Sequence, residues 1–129
     1  MALNWLAVIV AAVSAFVLGG FWYGPLFKHA WCREAGIDMA AKPAHPARVF
    51  GTAFVAALVA AAAFAWWLGP APGLEHAVRQ GVLAGLGIAA TSFGINYAFA
   101  GRSLKLWLID GGYHTLQFAL YGMILGAWH

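Results

Sequence analysis

Charge is what this chain most lacks. Of its 129 residues only seven are Lys or Arg and four are Asp or Glu, where a soluble domain carries about a quarter charged residues. That scarcity, with a 64% hydrophobic composition, excludes an ordinary soluble catalytic domain. Cysteine is almost absent as well, and the single Cys32 rules out an internal disulfide and a Cys-rich metal site. No Ser-His-Asp arrangement, phosphate loop or pair of carboxylates emerges, so no enzyme chemistry is expected. The five histidines, His29, His45, His76, His114 and His129, are scattered. His29 and Cys32 would give two ligands where a structural zinc takes four, so no metal and no cofactor are expected. A haem or chlorin would find only His114 as an axial imidazole.

What is abundant points to a bilayer. Seven Trp, nine Phe and sixteen Gly suit a helical membrane protein, with aromatics at the interfaces and glycines at helix crossings. Four apolar runs, at about residues 3–23, 49–68, 77–99 and 106–128, are each long enough to cross a hydrocarbon core of about 30 Å. "FWYGP" stops the first, "GPAPG" the second and "AGRS" the third. The expected fold is a single all-α domain, a four-helix transmembrane bundle over residues 1–129. The first run has no basic residue before it and continues past "AVSA", so it reads as a span rather than a cleaved signal peptide. Between spans one and two, "PLFKHAWCREAG" places Leu26, Phe27, Ala30 and Trp31 at helical spacing, with Pro25 at its start and Gly36 at its end. It reads as a short amphipathic helix in the interface, followed by the connector "AAKPAHPAR". Trp5, Trp22, Tyr23, Trp66, Trp67, Trp107 and Trp128 lie near span ends, as an aromatic belt requires. "FWYGPLFKHA" and "WWLGPAPGLEHA" echo each other faintly; a repeat of the transporter kind needs a second matching pair.

Six of the seven basic residues, Lys28, Arg33, Lys42, Arg48, Arg102 and Lys105, flank the same ends of the spans, leaving Arg79 at the other. The positive-inside rule then places both termini outside. The basic balance implies contact with anionic lipid headgroups, not with nucleic acid.

Span four carries a polar stripe. Asp110, His114, Gln117 and Tyr121 recur at i, i+4, i+7 and i+11, on one helical face. Counted from Leu106 they lie about 6, 12, 16 and 22 Å along the axis. Such groups rarely face lipid, since a charge at the bilayer centre costs roughly 2.5–3.5 kcal/mol on the insertion scale. Asn96, and with it Arg102, is expected beside Asp110 across the short "AGRSLK" turn. Two G-x-x-x-G patterns, Gly81 with Gly85 and Gly122 with Gly126, favour intimate packing within or between subunits. The stripe has two open meanings: a polar pathway or proton relay through His114, or interhelical glue at about 0.6 kcal/mol per contact. Three functions follow: a small channel- or transporter-like protein for protons or a small polar solute, an accessory or scaffold subunit of a larger complex, or a lipid- or pigment-binding protein. A homo-oligomer is expected, because four spans enclose little volume.

Two stretches, "NWLAVIVAAVSAFVLGGFWYGPLFKHAW" and "GRSLKLWLIDGGYHTLQFALYGMILGAW", resemble the bacterial membrane family of domain of unknown function 1761. The resemblance covers nearly the whole chain. It implies a small multi-span protein of the bacterial inner membrane and supplies no activity. Its motif residues are Asn4, Trp5, Trp22, Tyr23, Gly24, Pro25, Gly101, Arg102, Gly112, Tyr113 and His114. The family admits Asn at the position of Asp110, which weakens a relay that needs a carboxyl there and leaves a hydrogen-bonding role intact.

Overall fold

The structure, a computed structural model, describes residues 3–38 and 45–128. Lys42, His129 and most of the connector lie outside the described residues. Asn4 starts the first helix, its side-chain oxygen accepting the Ala7 amide at 3.1 Å. This helix, α1 (Trp5–Phe21), runs on into a wide π-helical turn, Trp22–Leu26. There Pro25 withholds its N–H, Gly24 leaves helical geometry and the chain bends. A short α2 (Lys28–Ala35) follows and ends on Gly36, whose φ of 73° is the left-handed cap that glycine accepts freely. α3 (Pro46–Leu68) starts three residues before the expected run, with Pro46 in the first turn where its missing amide proton is harmless. Then come α4 (Leu74–Ala84), a second π-helical turn at Gly85–Ala90, and α5 (Thr91–Ala100), which form one continuous rod. After Gly101, Ser103 caps α6 (Leu104–Ala127) by accepting the Leu106 amide at 3.1 Å.

The described residues form no strand. Three helices are long and apolar enough to cross a membrane: Trp5–Leu26, Pro46–Leu68 and Leu74–Ala100. The expected fourth apolar span is not among them. α6 has 24 residues, enough length, but Lys105, Asp110, His114 and Gln117 interrupt its apolar character. The count is therefore three apolar helices and one mixed one. The faint echo does not extend to geometry either: the first Gly-Pro sits in a continuing π turn, whereas Gly69-Pro70 ends α3.

α6 is the hub, in contact with each of the other helices. Its partners approach closely because the core is built of small residues: Ala7, Ala11, Ala12 and Ala15 of α1 meet Ala57, Ala61 and Phe64 of α3 beside Tyr121 and Leu125. Large side chains point the other way, Phe99 being 91% and Trp66 69% exposed. This inversion fits a bilayer, where helices gain nothing by hiding apolar groups from lipid and associate through close packing. Hydroxyls inside the helices return to their own backbone: Ser14 donates to Ala11 O at 2.6 Å, Ser92 to Ile88 O at 2.7 Å and Thr115 to Gly111 O at 2.8 Å.

Candidate functional site: the polar face of α6

The face of α6 toward α4 is made of glycine. A Cβ on Gly122 would stand 2.3 Å from the Ala77 carbonyl oxygen, and one on Gly81 would stand 2.2 Å from that of Phe118. Gly85 would meet the Thr115 Cα at 2.6 Å, and Gly126 the Ala77 Cβ at 2.8 Å. The two G-x-x-x-G patterns thus lie against each other's helices within this one chain, with backbones in contact.

Beyond Gly85 the π-helical turn decides which residues keep facing α6. An ordinary helix would continue the face by steps of three and four through Ala89, Phe93 and Asn96. The wide turn adds one residue, so the face shifts to Ala90, Gly94 and Tyr97, with Phe93 at its edge against His114. Ala90 is buried, a Cβ on Gly94 would lie 3.1 Å from the Trp107 indole nitrogen, and Tyr97 reaches Asp110. Asn96 is exposed, and its side chain makes no hydrogen bond among the described residues. The expected Asn96–Asp110 meeting is therefore corrected to Tyr97–Asp110.

Asp110 is buried and its two oxygens are shared among three elements. Tyr23, in the π-helical turn after α1, donates its hydroxyl to Oδ1, Trp31 of α2 donates its indole N–H to the same oxygen at 3.1 Å, and Tyr97 of α5 donates its hydroxyl to Oδ2. Arg102 is not in this cluster. It reaches the carbonyl of Ala35 at 3.3 Å, clasping the C-terminal end of α2. Beside it the Glu34 carboxyl is held below its ordinary range by a hydrogen bond from the Ser103 hydroxyl and by Arg33. The short amphipathic helix is thus fastened under the α5–α6 turn.

A second cluster occupies the rest of the stripe. The Gln117 amide donates to the Tyr121 hydroxyl at 2.9 Å, which leaves its oxygen to accept from His114 Nδ1 at 2.6 Å. Nδ1 therefore carries the proton in the neutral ring. Tyr121, fully buried, donates in turn to Ala57 O of α3 at 3.1 Å. Phe93 stacks on the His114 ring with centroids 4.9 Å apart. No hydrogen bond among the described residues joins Asp110 to His114, so one stripe in the sequence becomes two clusters in space.

The aromatic residues near the basic end also turn inward. Trp22 donates to Ile109 O and Trp107 to Ala90 O, both at 2.8 Å, so these indoles face bundle carbonyls rather than headgroups. Tyr113 donates to Ala15 O at 2.8 Å and covers Gly19, while a Cβ on Gly112 would press on Trp22 at 3.0 Å. Asn4 reaches Trp128 O at 3.3 Å. Of the motif residues, Asn4, Trp22, Tyr23, Gly112 and Tyr113 are engaged across the seam between the first helix and α6, whereas Trp5 is exposed, Gly24 and Pro25 form the bend, Gly101 turns the chain with φ at 69°, Arg102 binds α2 and His114 packs on Phe93 of α5. Sequence reading missed Trp31 and Tyr97 as ligands of Asp110. The face that Tyr97 presents is set by the π-helical turn, which has no spacing signal in the sequence.

Among the described residues no group of three or more His, Cys, Asp or Glu side chains could hold a metal ion. No curated protein and no solved structure matches the chain. A family model does match, over residues 6–126, nearly the whole length, and by it the chain belongs to the family described as protein of unknown function DUF1761.

Proposed function

We propose that this is an integral membrane protein of four crossings, and that it serves as an accessory or scaffold subunit whose polar stripe is glue. α6 is the fourth crossing in this reading. It is about 36 Å long at 1.5 Å per residue, and of its polar groups Asp110 and Gln117 are buried and His114 is half-buried, so the polar face is turned largely toward the other helices. The basic end, with Lys28, Arg33, Arg48, Arg102 and Lys105, faces the cytoplasm of a bacterial inner membrane, and both termini lie outside.

One observation carries the scaffold reading: apart from His114 Nε2, the polar groups of the stripe are bonded within the bundle. Asp110 is saturated by donors from three elements, and the His114–Gln117–Tyr121 chain ends on a backbone carbonyl, which passes no proton onward. A surface for a partner is open meanwhile, because α3 is exposed all round over residues 46–53, including Val49 and Phe50. A photo-crosslinker at Phe50, with one at the exposed Met123 as a control for lipid contact, tests this. A discrete protein adduct from Phe50 in native membranes supports the reading; lipid adducts alone from both positions refute it. Transport of protons or a small polar solute is the second reading, favoured by His114, half-buried and with Nε2 unbonded among the described residues. It requires a flux in proteoliposomes that His114→Ala removes while folding is kept.

A further inference from the structure

A groove of about 310 Å³ runs along α6 between the end of α1 and the middle of the α4–α5 rod. Gly111 and Gly112 form its floor, Trp22 and Trp107 two of its walls, and Leu86, Leu108 and Leu116 its apolar lining. Every polar group bordering it is already bonded elsewhere. The Trp22 and Trp107 indoles donate to Ile109 O and Ala90 O, and the Thr115 hydroxyl donates to Gly111 O. The groove therefore asks for hydrocarbon and offers no hydrogen bond. Its size lies at the low end of small-ligand sites, roughly 300–1,000 Å³. A transmembrane helix, about 10–12 Å across with its side chains, would overfill it.

Charge marks one mouth. Lys105, Leu108, Gly112 and Leu116 follow one another at i, i+3, i+7 and i+11, a single face of α6, so the Lys105 ammonium stands one turn beyond the lining Leu108. On the opposite wall Trp22 packs on Phe27, with ring centroids 4.8 Å apart, and Lys28 comes next in the chain. Both lysines are exposed and neither is within salt-bridge distance of a carboxylate among the described residues, although Lys105 is near enough to Glu34 to attract its carboxylate. We infer that the groove binds one acyl chain of an anionic phospholipid, whose phosphate is held at the mouth by Lys105 and Lys28. The apolar wall selects a flexible hydrocarbon tail and the two ammonium groups select a net negative headgroup over a zwitterionic one. This rests on the reading of the chain as a membrane protein.

Native mass spectrometry of the detergent-purified chain, titrated with phosphatidylglycerol or phosphatidylcholine, is the test. The expected result is one tightly retained phosphatidylglycerol per chain and no comparable phosphatidylcholine. Lys105→Gln should weaken phosphatidylglycerol retention about five-fold, the factor for one lysine near a headgroup. Leu108→Trp, which fills the groove from an exposed position, should abolish it. Protection of the buried Cys32 from maleimide reports that each variant is folded. Equal retention of the two lipids, or retention unchanged by Leu108→Trp, overturns the inference. A chain dimer that Leu108→Trp dissociates would assign the groove to a second copy and overturn it too. A chain that stays in aqueous solution without detergent would instead remove the membrane reading itself.

Discussion

Asp110 is a buried carboxylate with three neutral donors around it and no cation bonded to it among the described residues. In an apolar setting each donor would be costly to leave alone, at about 1–3 kcal/mol for a buried group. The cluster is therefore a clamp in which one side chain holds the end of α1, all of α2 and the end of α5. Its loss should be felt first at α2, the smallest element. The only cysteine of the chain lies there, 6% exposed, and serves as a reporter. Asp110→Ala is expected to raise the maleimide labelling rate of Cys32 by more than about ten-fold, the factor equivalent to about 1.4 kcal/mol. Asp110→Asn keeps an acceptor oxygen and should raise it less. Labelling of Asp110→Ala at the wild-type rate would mean that α2 is held by other contacts.

At the scale of helices, the α4–α6 crossing is fixed by what its glycines lack. Replacing a helical glycine by alanine ordinarily gains about 0.5–1 kcal/mol through backbone entropy. Gly122 should do the reverse, since its Cβ would meet the Ala77 carbonyl at 2.3 Å and the two backbones would have to part. Gly122→Ala is expected to destabilise by about 1–3 kcal/mol in reversible unfolding from mild detergent, as overpacked cores do. Gly20, with nothing within 4 Å of its Cβ position, is the matched comparison, and Gly20→Ala should be neutral or slightly stabilising. Equal effects at the two sites would show that propensity alone is being measured. The π-helical turn at Gly85–Ala90 acts at this scale too. By adding a residue it carries Tyr97, not Asn96, to Asp110.

For the whole molecule the question is whether α6 crosses. If it does, the number of crossings is even and the two termini share one side. Reporter fusions at Met1 and His129 are expected to read the same compartment, opposite to a reporter placed after Gly36 or Arg102. Termini on opposite sides would leave α6 outside the bilayer or re-entrant. The arrangement of side chains by size supports a crossing: small residues lie inside and bulky apolar ones outside, and Phe93 and Tyr113 pack against His114 on the polar face of α6.

Much of this was legible in the residues. The end of the short helix at Gly36 and the stop at "AGRS" are legible because caps and breakers act over a few neighbouring residues, whereas the caps at Asn4 and Ser103 and the start at Pro46 emerge only in the structure. The shared face of Asp110, His114, Gln117 and Tyr121 followed from helical periodicity, which is equally local. What only the tertiary structure decided is where those faces lead. Spacing could not divide the stripe into two clusters, turn Trp22 and Trp107 inward or choose Tyr97 over its neighbour. Each depends on a helix's rotation about its axis, set by contacts between residues far apart in the chain, such as Tyr113 and Ala15, 98 positions apart. Local geometry is written in the residues because backbone preference is short-ranged; the partners of each polar group are left to packing, because many rotations of an apolar rod leave its composition unchanged.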